Sequence, residues 1–169
     1  RRVLFRSRLI VHRSIVDDVA DRVTRAFSRL PVGNPLHDDP LIGPLVSLPA
    51  LESMQQALTR ATADGGRVAG GTRLHADAAL DAAYATPAVV RMPAQTAIVA
   101  TETFAPILYV MSYDDFDEAI ALQNGVPQGL ASSIFTTDVR EAERFTGPTG
   151  SDCGIANVNI GPSGAEIGG

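Results

Sequence analysis

Apolar positions along the chain recur in two rhythms, and the rhythm changes at Gly and Pro. Residues 9–12 read as a short buried strand. Ile15, Val19, Val23, Ala26, Phe27 and Leu30 then fall at helical spacing behind Ser14, a residue type that caps helices. Asp17 and Asp18 lie in the first turn, where carboxylates suit the positive end of the helix dipole. Arg25 and Arg29 suit the last turn, and Pro31 stops the helix. After a loop marked by Gly33, Pro35, Gly43 and Pro44, Ser47 is expected to cap a second helix. Leu48, Leu51, Met54, Ala57, Leu58 and Ala61 form its apolar face, Pro49 is tolerable in its first turn, and Gly65 and Gly66 end it.

The second half alternates between short strands and helices. Residues 67–70 form a weak strand, and the alanine-rich residues 75–83 read as a surface excursion. Residues 86–90 and 96–100 read as short strands, and 107–113 as a strong one. Asp114 and Asp115 start a third helix with Phe116, Ala119, Ile120 and Leu122 inward, and Asn124 and Gly125 break it. Residues 129–136 form a strand, Asp138 caps a fourth helix running through Phe145, and residues 154–159 form the last strand. From residue 106 the order is strand, helix, strand, helix, strand. With near-continuous apolar strands, that order predicts an α/β fold: a mostly parallel sheet covered by helices, with right-handed crossovers. Ligands of such sheets sit beyond the carboxyl ends of the strands, and residues 161–169 follow one such end.

Composition narrows the classes. The 169 residues carry a formal charge of −5 and no Lys/Arg cluster interleaved with aromatics, which argues against a nucleic-acid surface. No apolar run approaches the ~20 residues needed to span a bilayer, so no membrane partner is expected. A single cysteine, Cys153, cannot form an internal disulfide, and a cytoplasmic setting is expected. His12, His37 and His75 are scattered, without metal-ligand spacing. The chain starts without Met and stops in a glycine-rich run, so it is expected to be a piece of a longer protein.

The stretch with the most chemistry is residues 101–106, Thr-Glu-Thr-Phe-Ala-Pro, entering the strongest strand. Pro106 biases Ala105 away from the helical region, so the backbone here should be extended or turning. If it is extended, Glu102 and Phe104 point the same way. A carboxylate beside an aromatic ring can grip a ligand that carries hydroxyls and a flat ring. The alternative is a solvated loop charge next to a core ring. Cys153 sits beside Asp152, whose charge opposes a thiolate, and reads as a structural thiol. Ser132 and Ser133 read as strand residues, and Asp114, Asp115, Asp117 and Glu118 as a solvated helix start.

Several segments together resemble the aldehyde dehydrogenase superfamily. Residues 102–106 look like its Glu-x-Phe-Gly-Pro element. Residues 32–35, Gly43-Pro44, the strand at Pro87, residues 128–130 and Val158-Asn159 fall in the family's order and spacing, from about Arg8 to Gly169. Within the superfamily the likeness is to antiquitin-type enzymes, which oxidise α-aminoadipic semialdehyde in lysine catabolism. Ala105, the run 150–160 and the run 163–169 carry that likeness, while Gly161-Pro162 departs slightly from it.

The resemblance implies an NAD-dependent oxidation of an aldehyde to an acid through a Cys thioester, with NADP left open, in a homo-oligomeric full-length enzyme. It implies that Glu102 holds the nicotinamide ribose hydroxyls and that Phe104 packs on the nicotinamide ring. It implies that Gly164 and Ala165 offer main-chain N–H groups to the far carboxylate of the substrate. Residues 8–169 would be the C-terminal half of the catalytic domain, truncated at both ends. No catalytic residue is expected in the chain. The family's nucleophilic Cys belongs a few residues before the segment that 8–12 match, and Val3 stands there. Residues 1–7 are similar to translated sequencing adapter and are expected to be a non-native leader. Two alternatives remain: a non-catalytic binding or scaffold member of the family, and a dehydrogenase of generic aliphatic aldehydes.

Overall fold

The computed structural model of the chain describes residues 7–36, 40–74, 82–127 and 129–161. The backbone divides into two units, one running to Ser112 and one starting at Tyr113. The first is built on β1 (Ser7–His12), β2 (Arg67–Gly70), β3 (Arg73–Leu74), β4 (Tyr84–Ala85), β5 (Ala88–Arg91) and β6 (Ile107–Tyr113). Its helices are α1 (Val16–Phe27), α2 (Leu48–Ala63) and α3 (Ala97–Ala100). Four strands pair in the order β1-β6-β5-β2, and β3 and β4 form a separate antiparallel pair.

Strand alternation sorts the core into two layers. Val89, Leu108 and Val110 pack with Val16, Val19, Ala20 and Val23 of α1. Ala88, Val90, Ile107, Tyr109 and Met111 pack with Leu51, Met54 and Leu58 of α2 and Val99 of α3. Because β5 and β6 are covered on both faces, they read in the sequence as unbroken apolar runs. They pair in parallel, as expected, with Val90 opposite Tyr109. The strand β2, in contrast, runs antiparallel to β5.

Local chemistry explains where the elements start and stop. The second helix begins as predicted: Ser47 Oγ accepts the Ala50 N–H at 3.3 Å, and Pro49 occupies the first turn. It ends at Asp64, followed by Gly65 at φ +87°, a left-handed conformation that favours glycine. Ser14 does not cap α1. Its hydroxyl lies 2.7 Å from His12 Nδ1, and Ile15 takes the cap position without a side-chain bond. Asp17 and Asp18 do fill the first turn. Arg91 of β5 pairs with Asp17 at 3.1 Å and also with Asp21, clasping α1 to the sheet. The helix stops at Phe27, short of Leu30, so Arg29 lies outside it.

Residues 96–100, expected as a strand, are helical over Ala97–Ala100. A four-residue apolar run fits either period. Here only Val99 is fully buried, and Thr101 Oγ1 closes the turn by donating to Ala97 O at 2.8 Å. Residues 75–81 of the expected surface excursion lie outside the described residues. Its end is not a surface feature, because Ala83 is 2% exposed and β4 pairs with β3.

The second unit contains α4 (Phe116–Asn124), β7 (Ala131–Ile134), α5 (Val139–Thr146) and β8 (Ile155–Val158). With β6 before them, these follow the predicted alternation. β7 and β8 are parallel and form their own two-stranded sheet. Asp115 and Glu118 make a reciprocal cap: Asp115 Oδ1 accepts the Glu118 N–H at 2.9 Å, and Glu118 Oε2 accepts the Asp114 N–H at 2.7 Å. Asp138 Oδ1 accepts from Arg140 N–H at 2.8 Å, capping α5 as predicted. Arg144 of α5 reaches α4, where it pairs with Asp117 and stacks 5.3 Å above the Phe116 ring.

Candidate functional site

The connection from β5 to β6 holds the candidate site. It descends through α3 and turns through residues 101–106 before β6 begins, so the site lies at the amino end of β6. The turn is pinned at both sides. Thr101 N–H donates to Ile98 O at 3.2 Å, and Pro106 O accepts the Ala88 N–H of β5 at 2.9 Å. Ala105 is buried at 4% exposure and anchors the turn in the core.

Between these anchors the backbone is not extended throughout. Phe104 adopts φ +51°, in the left-handed region that a bulky residue seldom enters. Of the two expected backbones, extended or turning, the turning one is present, so strand-like alternation is not what aligns Glu102 and Phe104. They nevertheless line one groove of about 810 Å³. Its far wall is α2, which contributes Ser53, Gln56 and Arg60, and its near wall is Ile98 with residues 101–104. Glu102 is exposed, and Phe104 is 61% exposed although its neighbours Ala105 and Ile107 are buried.

A carboxylate accepts hydrogen bonds from hydroxyls and cannot donate. A largely exposed ring offers a face for stacking another ring. Arg60 adds a cation across the groove, and the volume falls in the range of small-ligand sites. The arrangement fits a polyhydroxylated ligand that carries a flat ring. The α2 wall was missed in the sequence. Its signal was available as a polar stripe, Ser53, Gln56 and Arg60, at helical spacing beside the apolar face.

The other sequence candidates separate. Gly164 and Ala165 lie outside the described residues. Cys153 is held in a polar cluster: its Sγ is 2.9 Å from Ser132 Oγ and donates to Ile155 O at 3.1 Å. Ser132 is buried and also bonds Ser151 Oγ at 2.8 Å, so both side chains brace the β7–β8 sheet. Asn124 clamps the loop before β8, donating to Gly150 O at 2.9 Å and accepting Asp152 N–H at 2.8 Å. Among the described residues, no helix is long and apolar enough to cross a membrane.

The aldehyde dehydrogenase family profile matches residues 4–168. The chain is 43% identical over 163 residues to aldehyde dehydrogenase family 7 member A1 of Pisum sativum, covering 96% of this chain and 31% of that protein. It is 45% identical over 165 residues to alpha-aminoadipic semialdehyde dehydrogenase of Bos taurus, covering 96% and 30% respectively. Among solved structures, betaine aldehyde dehydrogenase from Staphylococcus aureus in complex with NAD+ has a TM-score of 0.82 at 28% identity, covering 90% of this chain and 30% of that one. The chain thus spans about a third of the length of the curated relatives it matches.

Proposed function

The chain belongs to the aldehyde dehydrogenase family, and from that membership we propose that it is part of an enzyme oxidising an aldehyde to a carboxylic acid with NAD. The observation that carries the reading is the convergence of Glu102 and Phe104 on one groove. NAD, when bound, supplies the hydride acceptor. Glu102 accepts hydrogen bonds from the hydroxyls of the nicotinamide ribose, and its negative charge suits a site beside a cationic ring. Phe104 offers its exposed ring as a backing surface, which restricts the approach angle of the reacting face. NADP stays open, because neither residue meets the position at which the two coenzymes differ. Neither Cys153 nor Ser132 acts as nucleophile in this reading: each is engaged in the bonds that brace β7 and β8.

For the substrate we propose an aldehyde of the α-aminoadipic semialdehyde type. The likeness to the bovine relative supports it, as does the run 163–165, Ser-Gly-Ala. Gly164 and Ala165 would receive the carboxylate at the far end of such a substrate through their backbone N–H groups. The reading includes a cytoplasmic, homo-oligomeric full-length enzyme.

Glu102→Gln in the full-length enzyme tests the grip. Hydride transfer or NAD affinity should fall about tenfold to hundredfold, about 1.4–2.7 kcal/mol. Stopped-flow measurement of NADH formation, with a coenzyme titration, reads both. Parent values for both would remove Glu102 from the site.

A further inference from the structure

We propose that Asp64 and Thr96 are positioning residues for the cofactor grip and act on it through α3. The inference rests on the reading of Glu102 and Phe104 as that grip. The helix α3 has four residues, too few to be stable on its own. Its place must therefore be imposed by what it touches. Val99 seats it in the core, and Thr96, its N-terminal neighbour, donates Oγ1–H to Asp64 Oδ2 at 2.7 Å. Thr101 Oγ1 closes the other end onto Ala97 O. Only six positions separate Thr96 from Glu102, and the last turn of that path is hydrogen-bonded. A shift at Thr96 therefore reaches Glu102 with little slack to absorb it.

Asp64 is an odd residue for its position. It is the C-cap of α2, at the negative end of the helix dipole, where a carboxylate is disfavoured. Helix formation alone does not call for an acid there. Its contacts explain it. One oxygen takes the Thr96 hydroxyl, and the other lies 3.8 Å from Arg60 Nε. Arg60 belongs to the far wall of the groove, and Thr96 leads through α3 to the near wall. One carboxylate, only 24% exposed, thereby joins the two walls between which the coenzyme would lie. Together with Val99, this bond holds the near wall against α2.

Thr96→Val, Thr96→Ser, Asp64→Ala, Glu102→Gln and the double variant Thr96→Val/Glu102→Gln test the idea in the full-length enzyme. NAD affinity, kcat, aldehyde KM and melting temperature are measured for each. Thr96→Val should weaken NAD binding about threefold to tenfold, the worth of one hydrogen bond, and leave aldehyde KM unchanged. Thr96→Ser, which keeps the hydroxyl, should restore the parent value. Asp64→Ala reads the same bond from its other end, and serves if Thr96→Val does not fold. In the Glu102→Gln background, Thr96→Val should add no further loss of NAD affinity, because it acts through Glu102. A lowered melting temperature with parent NAD affinity would overturn the proposal, as would full additivity in the double variant. Glu102→Gln without effect would overturn the underlying grip reading. Glu102→Gln with its effect and Thr96→Val without one would overturn the coupling alone.

Discussion

Phe104 combines two properties that rarely meet in one residue: a large exposed ring and a left-handed backbone at φ +51°. For a residue with a Cβ that conformation costs about 1–2 kcal/mol. Such strain persists only where the surroundings impose it, here the buried Ala105 and the Pro106–Ala88 bond. Phe104→Ala and Phe104→Gly both remove the ring, but only glycine relieves the backbone. Urea unfolding should find Phe104→Gly the more stable of the two by about 0.5–1 kcal/mol, after its greater chain entropy is subtracted. A Phe104→Gly variant less stable than Phe104→Ala by about 0.4–1 kcal/mol, the chain-entropy difference alone, would mean that the turn carries no strain. The identities of Glu102 and Phe104 were legible in the sequence, since a carboxylate and a ring before a strand are chemically suggestive. Their alignment was not legible for the right reason. Pro106 announces a turn, but nothing in the residue types announces φ > 0 at a phenylalanine.

Elements were legible where start signal, period and stop signal agree. The second helix has all three in Ser47, the face from Leu51 to Ala61, and Gly65. The cap and the face differ in weight. Ser47→Ala removes one hydrogen bond to Ala50 and should cost about 1 kcal/mol. Met54→Ala opens a cavity at a fully buried position and should cost about 2–5 kcal/mol. Chemical denaturation of both variants checks the ratio; similar losses would mean that the core does not seat α2. Ser14 shows how a start signal misleads, because a nearby ring nitrogen, His12 Nδ1, competes for the same hydroxyl. The helix α3 was read as a strand because four apolar residues carry no period. Its surroundings are tertiary: Val99 is buried in the core and Thr96 bonds Asp64, 32 positions away, and such contacts leave no mark on the local pattern.

At the scale of the molecule, alternation from residue 106 onward was enough to read an α/β class with parallel pairing, and β5–β6 and β7–β8 are parallel. The antiparallel β2 was not legible, because a four-residue strand says nothing about its direction. The proposed role of Gly164 and Ala165 is tested through the substrate. In a full-length enzyme, α-aminoadipic semialdehyde should be oxidised with kcat/KM at least about tenfold above that for hexanal, since a carboxylate matched by donors is worth about 1.4 kcal/mol or more. Spectrophotometric assay of both aldehydes reads the ratio, and equal efficiency would defeat the substrate assignment while leaving the family intact.

Val99 ties interior to chemistry. It is wholly buried among the residues that pack α2 on the sheet, and it stands three positions before Glu102. With the grip as proposed, a lineage that enlarges or trims this side chain while adapting to heat or cold also retunes how tightly it holds its coenzyme. Thermal adaptation and appetite for NAD would then be inherited as one trait at this position.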